Sequence, residues 1–137
     1  MKLWPNIRAI PIEDNRFTTL GDWYENPNGS FEITVTIMDD WRHMFCVLIH
    51  EMIEWAVCQR DQVRTADCDA FDAEWERGIE AGIHPIEVEA GFDRACPYRR
   101  GHVWGCRMEH LFCFILGCNW KSYCTACDRM IERYAAR

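Results

Sequence analysis

The sequence predicts an α+β fold, in which a small N-terminal antiparallel sheet precedes about four helices. In residues 31–37, apolar side chains alternate with Glu and Thr, which is typical of a strand with one buried face. From residue 39 onwards, capping residues and glycines divide the chain into segments of helix length. The chain has 137 residues, a usual length for one domain, so we expect a single domain over residues 1–137.

The strands are expected before residue 38. Residues 22–25 and 30–37 flank an Asn28-Gly29 dipeptide, and Asn-Gly between two β-rich segments is a strong hairpin signal. Prolines lie beside and within residues 7–12. Because proline cannot donate a hydrogen bond to a neighbouring strand, this segment is predicted to be an edge strand.

The helices are expected from residue 41 to residue 134. Asp39 or Asp40 can cap a first helix over residues 41–60, which is apolar on almost every side and is therefore predicted to be central. The other predicted helices cover 66–77 with Thr65 as cap and Gly78 as stop, 97–117, and about 120–134 with Asn119 as cap. Residues 79–96 show no period, and a loop of this length in a small domain is often a lid or a binding loop.

Charge and hydropathy exclude some classes of function. The net charge is −7 and no basic block occurs, which argues against nucleic-acid binding. The longest apolar runs, such as residues 111–116, are too short to span a bilayer. The first residues lack the apolar stretch of a signal peptide, so we expect a cytoplasmic protein. The nine irregularly spaced cysteines are accordingly expected to be mainly reduced and buried.

The segment that indicates chemistry is His50-Glu51-Met52-Ile53-Glu54, inside the first predicted helix. His50 and Glu54 are four residues apart, so both project from one apolar face of that helix. A buried carboxylate is costly unless it is paired or binds a metal. The two side chains are therefore either metal ligands or partners in a buried hydrogen bond.

A second predicted helix carries a matching stripe. His102, Cys106, Glu109 and Cys113 fall within about 60° of one another on a helical wheel. If the two helices pack antiparallel, His50, Glu54 and His102 would form a three-ligand metal site with an open fourth position. Glu109 would be a fourth ligand or a partner that orients a histidine. Zinc is the expected metal, with iron or manganese as alternatives.

Several motifs together resemble a known group of proteins. They are H-E-x-x-E at 50–54, an acidic segment at 69–72, Pro97-Tyr98-x-x-x-His102, Glu109, and Leu116-Gly117-x-x-Trp120-x-x-Tyr123. Over about residues 20–125 they resemble small bacteriophage proteins that are similar to zincin-like metallopeptidases. The resemblance implies a zincin-like fold, a metal-dependent hydrolase and, for a phage protein, the host cytoplasm.

The match to zincins departs at one position. Zincins carry H-E-x-x-H, in which two histidines bind zinc and the intervening Glu is the general base. Here Glu54 stands in place of the second histidine, and carboxylate oxygen is a normal zinc ligand. Glu51 is then the predicted catalytic base. The substrate is unknown, with a peptide or a host protein as the expected class.

Three alternatives remain open at this point. The chain could be a phage accessory protein that binds a host protein and carries a structural or vestigial metal site. The thiols of Cys113, Cys118, Cys124 and Cys127 could form a separate four-thiolate zinc site, although two of them lie on a predicted core stripe. Asp72 could reach the metal or a ligand histidine.

Overall fold

A three-stranded sheet followed by four helices makes up residues 4–137, the part of the chain that this computed structural model describes. The elements are β1 (Asn6–Ile10), β2 (Gly21–Glu25), β3 (Phe31–Thr36), α1 (Trp41–Arg60), α2 (Thr65–Glu80), α3 (Arg99–Ile115) and α4 (Trp120–Ala135). The predicted α+β class is therefore confirmed.

The sheet has the strand order β1-β3-β2. β2 and β3 are antiparallel and form the predicted hairpin, in which Gly29 adopts a φ of 79° that a side chain would disfavour. β1 is an edge strand, as its prolines predict, but it runs parallel to β3. The sheet is thus mixed. Its middle strand, β3, is parallel to β1 on one side and antiparallel to β2 on the other.

α1 is the central helix, as its composition predicts. The side chain of Asp40 accepts a hydrogen bond from the Arg42 amide and caps it. α1 packs against the sheet on one side and against α3 on another. A Cβ at Gly101 would lie 2.8 Å from the Glu54 carbonyl oxygen, and one at Gly105 would lie 2.9 Å from that of His50. These glycines allow α3 to approach α1 closely and antiparallel, so the two predicted stripes face each other.

The end of α2 differs from the prediction. Thr65 is its first helical residue and not its cap, and the helix continues through Gly78 to Glu80. Gly78 is buried under the ring of His84, so its missing side chain serves close packing and does not end the helix. The stop lies at Gly82 instead, where φ is +70°.

All nine cysteines are free thiols, and five of them are buried in the core. Within residues 4–137, the thiols of the last helix and its approach do not form a four-thiolate cluster. None of the helices in the same residues has both the length and the apolarity that a membrane crossing requires.

Candidate metal centre

Three side chains from α1 and α3 converge on one point. Glu54 Oε2 lies 3.2 Å from His50 Nε2 and 3.0 Å from His102 Nδ1. The two histidine nitrogens lie 3.1 Å from each other. All three residues are at most 7 % exposed. The antiparallel packing of α1 and α3 therefore brings together the three side chains that the sequence proposes as metal ligands.

A fourth group lies beside the same histidines. Cys106 is one turn after His102 in α3, and its Sγ atom is 3.6 Å from His102 Nε2. His50, His102 and Cys106 each present a ligand atom within 4.8 Å of the others, so this group could hold a metal ion. The site thus offers two candidates for a third ligand, Glu54 and Cys106. Glu54 is the better placed, because one of its oxygens contacts both imidazole rings directly.

Each histidine also has a carboxylate on its outer side. Glu89 Oε2, from the loop after α2, lies 2.8 Å from His102 Nε2. Glu109 Oε1 lies 3.3 Å from His50 Nδ1, at ion-pair distance but without the angle of a hydrogen bond. The hydroxyl of Tyr123 donates to the other Glu109 oxygen and holds this carboxylate in place. Glu109 therefore sits on the ring nitrogen of His50 that faces away from Glu54.

The second oxygen of Glu54 is also occupied. The indole Nε1 of Trp23, on β2, donates a 2.9 Å hydrogen bond to Glu54 Oε1. Trp23 is 5 % exposed and packs in the core beneath the site. Its bond fixes the carboxylate so that Oε2 is directed at the two histidines.

The electrostatics of the site favour a bound cation. Burial alone would lower the pKa of His102, but contacts with Cys106, Glu54 and Glu89 outweigh it and raise the pKa to about 11. The pKa of His50 is raised in the same way. Burial opposes ionisation of Glu54, yet the two histidines hold the pKa of that carboxyl below its usual range. The site therefore stabilises positive charge on the two histidines, and a metal ion that displaced their protons would supply that charge instead.

The two histidines also change the pKa of the Cys106 thiol. Burial raises its pKa, but the neighbouring histidines have the larger effect and hold it below its usual range. A lowered thiol pKa favours the thiolate, which is the form that binds metals. Cys106 is therefore a chemically competent neighbour of the site.

Glu51 lies beside the three ligands and is not one of them. It is 7 % exposed and has no hydrogen-bond or ion-pair partner among residues 4–137. A Cβ at Gly21 would come within 2.7 Å of Glu51 Oε1, so this glycine of β2 makes room for the carboxylate. Burial and the nearby charge of Glu54 raise the pKa of Glu51 well above its usual value.

The site opens into a cleft of about 580 Å³. Its walls come from β2, α1, α2, α4 and the loop that contains Glu89, and Glu51 lines it. Asp72 is on the α2 wall, where it accepts a 2.5 Å hydrogen bond from the Tyr98 hydroxyl. Burial raises the pKa of Asp72 to about 7. Asp72 forms no ion pair with His50 or His102.

Two residues of the site escaped the sequence analysis. Glu89 lies in the segment without a period, where no spacing relates it to α3. Trp23 belongs to a strand, where an aromatic side chain is usually a core residue. Neither carries a local signal, because each meets its partner only through the tertiary fold. Cys106 lies on the predicted α3 stripe, from which the sequence proposes only His102 and Glu109 as ligands.

Comparison with known proteins gives no relative: no family model, no curated protein and no solved structure matches the chain.

Proposed function

We propose that this protein is a zinc-dependent hydrolase of peptide bonds, with zinc held by His50, Glu54 and His102. The observation that carries the proposal is the convergence of their three ligand atoms within 3.0–3.2 Å of one another. Ligand atoms at about 2.0–2.2 Å from a tetrahedral zinc lie about 3.4 Å apart. The three atoms therefore match a zinc site after a small outward movement.

The carboxylates behind the histidines support the same assignment. Glu89 favours a proton on His102 Nε2, which leaves the Nδ1 lone pair directed at Glu54. Glu109 has the equivalent effect on His50, where Nδ1 is the outer atom. At the raised pKa values of His50 and His102, protons lie between the three ligand atoms. When these protons leave, three lone-pair atoms face one another, and a metal cation can take the place of the protons.

Glu51 is the general base in this proposal. Zinc, when bound, would acidify a water molecule and polarise the substrate carbonyl. Glu51 accepts a proton from the water molecule while the water oxygen bonds to the carbonyl carbon. Glu51 then delivers that proton to the leaving nitrogen as the C–N bond breaks. Among residues 4–137, no donor bonds the Glu51 carboxylate, which lines the cleft. It is therefore free to contact a water molecule.

A peptide is the substrate class that fits the cleft. β2 is the outer strand on its side of the sheet, and Gly21, Asp22 and Trp23 line the cleft. The Thr19 hydroxyl bonds the amide and the carbonyl of Gly21, so an extended peptide would pair with the outer edge of β2 beyond Gly21. The motif resemblance supports placing this hydrolase among small bacteriophage proteins that act in the host cytoplasm.

A second candidate function is binding of a host protein, with the metal in a structural role. Large apolar side chains are exposed around the start of α1 and the end of α3, and these are Trp41 (65 %), Leu111 (47 %), Phe114 (81 %) and Ile115 (58 %). Exposed apolar groups of this size favour an interaction surface. This function needs no base beside the metal, so Glu51 distinguishes the two.

The test is elemental analysis followed by a hydrolysis assay. Protein purified without added metal should contain one zinc per chain, and His50→Ala should contain none. Mass spectrometry of a peptide mixture should show cleavage by the purified protein, none after EDTA treatment, and recovery with zinc. Iron or manganese in place of zinc would correct the choice of metal. A protein that retains no transition metal would contradict the proposal.

A further inference from the structure

The charge of the cleft is one-sided. Eleven carboxylates line it, half of the 22 in the chain, whereas none of the lining residues is Lys or Arg. Arg16 reaches in from outside and pairs with Asp22 and Asp69. Arg16 and a divalent ion together supply three positive charges against these eleven acidic groups.

Six of these carboxylates have no cationic partner within 4 Å among residues 4–137. They are Glu51, Asp72, Glu76, Glu87, Asp128 and Glu132. They come from α1, α2, α4 and the loop after α2, so they surround the cleft and are not one surface cluster. Like charges that line one cleft repel one another, so the arrangement costs stability unless a cation enters.

Glu51 extends the acidic lining to the floor of the cleft. Its side chain is more than nine-tenths buried, lacks any hydrogen-bond partner in the described chain, and lines the cleft. A buried carboxylate without a partner is unfavourable when ionised, and a cation beside it offsets that cost. The unpartnered floor and the acidic walls therefore indicate a positively charged ligand.

The walls between the carboxylates are apolar. Trp75 and Ile79 of α2, Ile86 of the loop and Ile131 of α4 all line the cleft. Alternating apolar and acidic surface fits side chains with an aliphatic stem and a cationic end, which are Lys and Arg.

We propose that the cleft binds polypeptide segments rich in Arg and Lys, with the acidic walls selecting their charge. The inference rests on the proposed function, because it names the substrate class of the same site. Binding does not need the metal, however, so it can be tested separately from hydrolysis.

The test compares two labelled hexapeptides by fluorescence anisotropy. One carries two arginines, and the other has citrulline, a neutral group of the same shape, at both positions. At about 0.15 M salt, where long-range attraction is largely screened, the arginine peptide should bind at least about tenfold more tightly. Both the purified and the EDTA-treated protein should show this preference. Equal binding of the two peptides, or binding of neither, would overturn the proposal.

Two triple variants separate the cleft from overall charge. In the first, Glu87→Gln, Asp128→Asn and Glu132→Gln neutralise three exposed wall residues, and the preference should fall below about threefold. In the second, Glu25→Gln, Asp39→Asn and Glu74→Gln make the same charge change outside the cleft, and the preference should persist. An equal loss of the preference for the arginine peptide in both variants would show that net charge alone causes it, which would contradict the proposal.

Two further measurements identify the ligand and separate the cationic-peptide proposal from the hydrolase proposal. Spermidine at the concentration of the peptide should not displace it, and full displacement would assign the cleft to small polyamines and overturn the peptide assignment. Charge-selective binding by a protein that retains no zinc would support the cationic ligand while contradicting the hydrolase.

Discussion

Glu89 Oε2 lies 2.8 Å from His102 Nε2, across the imidazole ring from the Nδ1 atom that faces Glu54. The loop between α2 and α3 thus orients a residue of the candidate metal centre. The same loop is attached to α2 by His84, whose ring stacks on Trp75 at 3.8 Å and 5°. The loop is therefore held to the rest of the domain at two points, through His84 and through Glu89.

Removing this outer carboxylate should weaken zinc binding. Glu89→Ala should lower zinc affinity about 10–100-fold, because His102 loses the carboxylate at ion-pair distance that favours a proton on its outer nitrogen. Competition with a chromophoric chelator measures the change. Glu87→Ala, two residues away in the same loop and exposed, is the matched control and should stay near the wild-type affinity. Equal affinities for both variants would show that Glu89 does not act on the metal.

The two candidate third ligands can be distinguished by substitution. Glu54→Ala should lower zinc affinity by at least about 100-fold, because it removes the oxygen that contacts both histidines. Cys106→Ser should change it by less than about threefold, since its sulfur lies on the outer side of His102. The reverse order, or a sulfur-to-metal charge-transfer band in the cobalt-substituted protein, would assign Cys106 as the ligand.

Glu51 separates an enzyme from a binding protein. Glu51→Gln is nearly isosteric and should keep zinc and fold, yet lower peptide hydrolysis about 10²–10⁴-fold, because an amide cannot accept the proton of water. Zinc content, thermal unfolding and the hydrolysis rate are measured on one preparation. His50→Ala should instead lose the metal. Unchanged hydrolysis by Glu51→Gln would remove Glu51 from the mechanism.

Asp72 should make stability depend on pH. Burial raises its pKa from 3.8 to about 7 in the folded protein. The folded state therefore binds the proton more tightly, and this contribution to stability is lost as pH rises from about 4 through 7. Asp72→Asn keeps an acceptor for the Tyr98 hydroxyl. The variant should be more stable than wild type by roughly 1–3 kcal/mol at pH 8, with little difference at pH 4.

Urea unfolding at several pH values measures this difference in the free energy of unfolding. Asp39→Asn, an exposed carboxylate outside the cleft, is the control. A difference between Asp72→Asn and wild type that stays constant from pH 4 to pH 8 would show that Asp72 does not titrate in this range.

Local signals in the sequence predicted much of the fold. The Asn28-Gly29 turn, the Asp40 cap and the Asn119 cap each act within a few residues, through a backbone conformation or a hydrogen bond. The shared face of His50 and Glu54 is equally local, because the helical repeat alone places them one turn apart. These features could be predicted from a few neighbouring residues, without the structure of the rest of the chain.

Features that depend on contacts between distant segments were decided only by the tertiary structure. The direction of β1 depends on a strand paired across some 25 residues of sequence. The extension of α2 through Gly78 depends on His84 packing over it, which outweighs the usual tendency of glycine to end a helix.

The candidate metal centre combines both kinds of information. By itself, the sequence determined the ligand types, the one-turn spacing of His50 and Glu54, and the facing stripe on α3, because helix geometry is local. Only the tertiary structure decided that His102 meets them within 3.2 Å and that Trp23 and Glu89 orient the ligands. Their partners are 31 and 13 residues away along the chain. No local propensity relates residues at such separations, so packing of the whole domain sets these contacts.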